Sequence, residues 1–186
     1  MWIGLGNPGL AYERTRHNFG YAVIDFFLKK FGERRKWENR NAKVWHVSFH
    51  KHEIVMVKPA TFMNHSGMAV AQIVEKLETT PAEVVVFHDD VDLDIGRTKL
   101  KWKGGDAGHK GIRSIITYLR TDAFFRVRMG IGRPPEGLDV SDYVLSPFTS
   151  REWEIALETM GRIAEGMELW ADQGTTYALN HLNRWN

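Results

Sequence analysis

The sequence predicts an α/β fold: a single domain over residues 1–186, with one twisted sheet that is mostly parallel at its centre and helices on both faces. Three observations carry this reading. Apolar runs of strand length alternate with stretches of helical periodicity along the whole chain. Val84-Val85-Val86-Phe87 is apolar without alternation, as in a central strand covered on both sides. The chain has 186 residues, 43% hydrophobic and 26% charged, enough for a sizeable core, and holds no repeat, low-complexity tract or linker.

Residues 2–5 read as a buried strand that Gly6 ends. Residues 18–31 read as a helix with Ala22, Val23, Phe26 and Phe27 on one face, stopped by Gly32. Residues 33–41 are charged and read as a solvated loop. Residues 44–49 and 53–58 form two strands joined by a tight turn, and Pro59 ends the second. Residues 68–77 have helical periodicity. Residues 97–103 alternate strictly, with Thr98, Leu100 and Trp102 on one face. The helix that follows turns Ile112, Ile115, Ile116 and Leu119 inward, and residues 125–131 form a further strand. Thr149-Ser150-Arg151-Glu152 is a capping box that opens a long helix to about residue 170. Residues 175–182 form a short closing helix.

The composition excludes several classes. With no cysteine, the chain has no disulfide, thiol nucleophile or thiolate zinc site. No apolar stretch approaches the ~20 residues that span a bilayer. The start, Met1-Trp2-Ile3, runs into a glycine turn rather than a basic-then-apolar leader. The expectation is a cytoplasmic protein with no membrane partner. The net charge of +2 is uninformative, but its distribution is not: Arg97, Lys99, Lys101, Lys103, Lys110 and Arg113 face a single nearby acid, Asp106.

Functional residues in open α/β sheets gather at the carboxyl ends of strands. Three predicted strand ends carry polar groups: Asn7, then Thr61-Phe62-Met63-Asn64, then His88-Asp89-Asp90. His17 directly precedes the first helix, whose amino end disfavours imidazolium, and a neutral imidazole suits a general base. A carboxylate such as Asp89, bonded to its other ring nitrogen, would fix the tautomer and stabilise the cation that forms. No Gly-x-Ser-x-Gly elbow is present, so a hydrolase of this kind would use water as nucleophile. The alternative for His17 is a helix-start histidine that caps backbone groups. The run Asp89-Asp90-x-Asp92-x-Asp94 suits either a hard-cation site or a solvated turn, although Gly96 comes too late for a calcium loop.

Lys99, Lys101 and Lys103 share one strand face about 6.7 Å apart. That pattern suits a polyanion partner or a lysine-protected edge strand. The Gly104-Gly105-Asp106-Ala107-Gly108-His109-Lys110-Gly111 stretch is either a flexible connection or a loop presenting backbone N–H groups to phosphate at a helix start. Gly6-Asn7-Pro8-Gly9 lacks the glycine spacing of a dinucleotide fingerprint.

These segments, in this order, resemble bacterial peptidyl-tRNA hydrolases. The matching pieces are Gly4-Leu5-Gly6-Asn7-Pro8-Gly9 with Tyr12, Thr15-Arg16-His17-Asn18 and Lys58-Pro59-Ala60-Thr61-Phe62-Met63-Asn64-His65-Ser66-Gly67. Next come His88-Asp89-Asp90-Val91-Asp92-Leu93, Gly108-His109-Lys110-Gly111, Arg128-Met129-Gly130-Ile131-Gly132-Arg133-Pro134 and Asp142-Tyr143-Val144-Leu145-Ser146. The match spans nearly the whole chain.

The resemblance implies a mixed sheet and a cofactor-free, metal-independent enzyme that cleaves the ester between a peptide and the 3′ end of tRNA. It implies His17 as general base and Asp89 as its supporting carboxylate. Asn7 would help tell N-blocked from free aminoacyl-tRNA, and Tyr12, Phe62 and Asn64 would bind the peptidyl–adenosine end. His109 and Lys110 would lie near the acceptor end, and Lys99, Lys101 and Arg128 would hold tRNA phosphates. The partner would be the acceptor stem and 3′ end of peptidyl-tRNA, met by a monomer. Two departures stand out: position 110 is lysine where the family often has asparagine, and the chain begins almost at its first motif. Competing readings are a catalytically silent module that holds structured RNA, and a metal phosphohydrolase built on the acids around Asp90.

Overall fold

The computed structural model describes residues 1–184. The strands are β1 (Trp2–Gly4), β2 (Arg35–Glu38), β3 (Ala42–Phe49), β4 (His52–Pro59), β5 (Val85–Asp90), β6 (Thr98–Trp102) and β7 (Phe125–Gly130). They form one seven-stranded sheet in the order β2-β3-β4-β1-β5-β7-β6. The inner strands β4, β1, β5 and β7 are parallel, and β2, β3 and β6 add antiparallel flanks. The helices are α1 (Phe19–Phe31), α2 (Ser66–Lys76), α3 (Lys110–Leu119), α4 (Val140–Leu145), α5 (Ser150–Gln173) and α6 (Thr175–Asn183).

Both faces of the sheet are covered, which is why β5 is apolar at successive positions. Val85 and Phe87 point to a core shared with Trp2, Phe27, Val127, Met160, Ile163 and Leu182, beneath α1, α5 and α6. Val86 points the other way, to Ile3, Leu5, Val70, Ile73, Ile112 and Ile115, beneath α2 and α3. The capping box at the start of α5 forms as the sequence predicts: Thr149 Oγ1 accepts from the Glu152 backbone N–H, and Glu152 accepts from the Thr149 N–H.

Helix α1 presses directly onto the strand ends. A β-carbon at Gly20 would lie 2.3 Å from the Phe87 carbonyl oxygen and 2.4 Å from the Leu5 nitrogen. The Tyr21 N–H donates to the Leu5 carbonyl at 3.0 Å. This close approach sets the residues just before α1 over the carboxyl end of β5.

Two elements depart from the sequence reading. Part of the charged stretch 33–41 is strand β2, paired antiparallel with β3. Its residues are largely exposed, as befits an edge, but Trp37 is half-buried with the Lys76 ammonium 4.0 Å above its ring. Pairing to β3 overrides the polar composition there. Helix α4 is the second; Asp139 caps it, accepting from the Ser141 N–H.

At the opposite edge, β6 pairs among the described residues only with β7, and its outer side meets α6. The Leu100 N–H donates to Asn183 Oδ1 at 2.7 Å, and Asn183 Nδ2 donates to the Leu100 carbonyl at 3.1 Å. Thr98 Oγ1 donates to the Leu182 carbonyl beside them.

Candidate active site

The carboxyl ends of β1, β4 and β5 open into one cleft of about 880 Å³. Asn7, His17, Phe62, Asn64, His88, Asp89, His109 and Lys110 line it, with α4 closing one side through Val140, Val144 and Leu145.

Asn7 follows β1 and is gripped on its backbone by Asn18. The Asn7 N–H donates to Asn18 Oδ1 at 2.8 Å, and Asn18 Nδ2 donates to the Asn7 carbonyl at 2.9 Å. The Asn7 side-chain oxygen accepts from the Met63 N–H at 2.7 Å. The amide is thereby oriented, with Nδ2 left as a donor in the cleft wall. Asn64 lies in the short 3-10 turn before α2 and is exposed.

His17 sits in a 3-10 turn, Arg16–Asn18, that its neighbour anchors. Arg16 is only 5% exposed. Its Nη2 donates to both Glu152 carboxylate oxygens at 2.8 and 2.7 Å, and its Nη1 donates to Ser146 Oγ and the Pro147 carbonyl. The guanidinium also lies 4.3 Å from the centre of the Tyr143 ring. The turn is thus tied to the segment joining α4 and α5.

His17 Nδ1 lies 3.0 Å from each oxygen of Asp89, which stands near the end of β5. An N–H at Nδ1 donating to the carboxylate leaves Nε2 as a bare acceptor on a cleft-lining ring, the state a general base requires. Burial by itself would lower the basicity of His17, but the charge of Asp89 and its hydrogen bond raise it above the ordinary histidine value, while Lys110 pulls it down. The sequence expectation of a dipole-depressed imidazole is therefore reversed by the carboxylate partner. Burial would push the Asp89 carboxyl up; the charges of His17 and His109 and their hydrogen bonds hold it far below the usual carboxylate range. His88 is driven well below the ordinary value by burial, then by the charge of His109.

His109 caps α3 with its side chain. Its Nδ1 accepts from the Gly111 and Ile112 N–H groups at 3.1 and 3.2 Å, and its Nε2 lies 3.1 Å from Asp89 Oδ1. Ligand atoms of His17, Asp89 and His109 lie within 4.8 Å of one another. A cation bound there would need a bare Nε2 on His109, yet the two backbone donors on Nδ1 place the ring proton on Nε2. The hydrogen bonds hold this cluster in its proton-bearing form. The other acids do not converge: Asp90 accepts from Arg128 Nε and Asp92 accepts from Arg133 Nη2, each at 2.5 Å.

The peptidyl-tRNA hydrolase family model matches residues 1–186. The chain belongs to the peptidyl-tRNA hydrolase family. A peptidyl-tRNA hydrolase of Hydrogenobaculum sp. (strain Y04AAS1) is 44% identical over 163 residues, covering 88% of this chain and 86% of that relative. One from Aquifex aeolicus (strain VF5) is 37% identical over 182 residues, covering 98% and 95%. The solved peptidyl-tRNA hydrolase of Acinetobacter baumannii superposes with a TM-score of 0.93 at 28% identity, covering 100% of this chain and 94% of that one.

Set beside that family assignment, the remaining expected residues fall in two places. Phe62 stands at the cleft with 56% of its surface exposed, and Tyr12 packs edge-on against it, ring centres 6.4 Å apart, outside the cleft lining. Lys99, Lys101 and Arg128 lie on β6 and β7, beyond the cleft. Lys99 is paired across the sheet with Arg128, and Lys101 with Arg126. Arg126 was not singled out from sequence; it is buried and donates to the Gly105 carbonyl at 2.7 Å, bracing the glycine-rich loop. Sequence reasoning also missed the Asp92–Arg133 pair and α4 as cleft walls. Asp139 followed by Val140, Tyr143 and Val144 is a cap-and-periodicity signal that marks α4. Among the described residues no helix is long and apolar enough to cross a membrane.

Proposed function

We propose that this chain hydrolyses the ester of peptidyl-tRNA by attack of a water that His17 deprotonates. The observation that carries the mechanism is the bond between His17 Nδ1 and the buried Asp89 carboxylate, which leaves Nε2 bare in the cleft. The water oxygen bonds to the ester carbonyl carbon as its proton passes to Nε2. The imidazolium is held by Asp89. The tetrahedral intermediate then collapses, the bond to the ribose oxygen breaks, and His17 returns the proton to that oxygen. Donors at Asn64 and Asn7 Nδ2 stabilise the developing oxyanion and the peptide; one such donor is worth about 2.7–4 kcal/mol of barrier. Phe62, backed by Tyr12, offers an aromatic surface to the terminal adenosine, and Lys110 adds a positive charge at the rim.

Lys99, Lys101 and Arg128 grip acceptor-stem phosphates. Asp90 holds Arg128 through Nε, and among the described residues both terminal nitrogens remain for phosphate. The enzyme acts in this reading as a cytoplasmic monomer over one domain.

The test is release of tRNA from N-acetyl-aminoacyl-tRNA, with and without EDTA. Turnover that EDTA leaves unchanged is expected. His17→Ala should lose about 10²- to 10⁴-fold in rate while keeping tRNA affinity. No turnover by the wild-type chain would point to an RNA-holding module, and loss with EDTA to a metal-dependent hydrolase. A substantial residual rate in His17→Ala would remove His17 from the base role.

A further inference from the structure

His109 stands between two structures that each claim one of its nitrogens. On one side Nδ1 caps α3, accepting from the Gly111 and Ile112 N–H groups. Two backbone donors converging on one nitrogen require a lone pair there, so the ring proton resides on Nε2. On the other side Nε2 faces Asp89 Oδ1 at 3.1 Å, the same oxygen that lies 3.0 Å from His17 Nδ1. The His109 side chain is 8% exposed, and its ring centre lies 4.9 Å from that of His17 and 4.8 Å from that of His88. With both nitrogens engaged, His109 has no hydrogen-bonding capacity left for a ligand.

We propose that His109 is a positioning residue: α3 fixes its tautomer, and its Nε2–H holds the Asp89 carboxylate and shares that carboxylate with His17. The inference rests on the reading of His17 and Asp89 as base and supporting carboxylate. Its consequence is a tuning of the base. A carboxylate that accepts a second N–H gives less of its electron density to the first, so His109 restrains the pull of Asp89 on the His17 proton. The charged and titratable groups around this unit are few. His17 comes from the turn before α1, His88 and Asp89 from β5, Asp106 from the glycine-rich loop, and Lys110 from the first turn of α3, with Arg126 of β7 acting on His88.

Two substitutions separate the two tasks. In His109→Asn the amide oxygen stands near the position of Nδ1 and caps α3, but the side chain is too short to reach Asp89. In His109→Gln the amide nitrogen stands near the position of Nε2 and donates to Asp89, but the cap is lost. The acid limb of the pH profile of kcat/KM should move up by about half a pH unit in His109→Asn, with thermal stability close to wild type. In His109→Gln the limb should stay in place while the thermal midpoint falls. A merely structural His109 would move the midpoint and leave the limb unchanged in both, which would overturn the proposal. The wild-type protein supplies a second check by imidazole ¹⁵N NMR. His109 should show a bare Nδ1 and a protonated Nε2; the reverse tautomer would overturn the proposal even if the variants fail to fold. If Asp89→Asn also leaves the limb unmoved, the His17–Asp89 reading fails. If Asp89→Asn moves it and His109→Asn does not, only the role of His109 fails.

Discussion

Glu152 of α5 holds the turn that carries His17 by pairing with Arg16, and Glu152→Gln tests that directly. The wild-type carboxylate accepts two bonds from Arg16 Nη2, at 2.8 and 2.7 Å, and one from the Thr149 N–H at 2.7 Å. Arg16 and Glu152 side chains are 7% and 23% exposed. The substitution keeps the shape but turns one acceptor into a donor facing donors, and leaves a nearly buried guanidinium without its counter-ion. A charge-assisted hydrogen bond contributes about 1.5–3 kcal/mol, and breaking a fully buried pair costs about 3–5 kcal/mol. Because Glu152 keeps some access to water, the lower part of that combined range applies, about 2–3 kcal/mol. For a chain of this size that is a fall of about 4–12 °C in the thermal midpoint. Glu152 titrates below the ordinary carboxylate value; burial opposes this, and the Arg16 and Thr149 hydrogen bonds outweigh it. Its stabilisation is therefore fully present above the unfolded-state value near 4.5 and is lost as pH falls through the lower folded-state value. Thermal melts of both proteins at neutral and acid pH measure this. The gap should be wide at neutral pH and close as the medium is acidified. A midpoint shift under about 1 °C at neutral pH would refute the reasoning, as would a gap that does not depend on pH.

Asp89→Asn should slow hydrolysis by about 10²- to 10⁴-fold and move the acid limb of kcat/KM to lower pH, since burial and Lys110 then act on His17 unopposed. An unmoved limb counts against the pairing. Lys99→Ala with Lys101→Ala should flatten the dependence of log affinity on log salt by about 1.5, read from tRNA binding titrations at several salt concentrations. An unchanged slope would leave those lysines as guards of a strand edge. Gly20→Ala forces a methyl group against the Phe87 carbonyl and Leu5 nitrogen. It should cost about 1–3 kcal/mol in denaturant melts and lower the rate per folded molecule, because His17 lies one helical turn away. Full stability in that variant would contradict the close approach of α1.

The parallel centre of the sheet was legible because Val85, Val86 and Phe87 leave no polar residue for either face. So were the polar groups at its carboxyl end, since Asn7, Asn64 and Asp89 each come within a few residues of an apolar run. Strand β2 was not legible: Arg35, Lys36 and Glu38 carry no apolar pattern, and only pairing with β3 makes them a strand. The expectation for His17 named Asp89 as its partner but took the helix amino end to keep the ring neutral; the buried carboxylate 3.0 Å away acts at shorter range and in a less polar setting. The double engagement of His109 could not be read from sequence, because it joins a helix cap, which is local, to a contact with a residue 20 positions earlier. Arg126 was hidden for a related reason: alternation in 125–131 marks a strand without saying that a loop lies over one of its faces.

The side chain of Asn183 imitates a peptide unit. It sets one donor and one acceptor against Leu100 as a neighbouring strand would, so this rung of the β6 edge is answered from within the molecule. A side-chain amide carries both groups at the spacing of a peptide, whereas a carboxylate lacks the donor and an ammonium lacks the acceptor. A sheet whose border strand is open to solvent must refuse other strands there. In this chain α6 supplies that refusal, through Asn183 against Leu100 and the Leu182 carbonyl against Thr98.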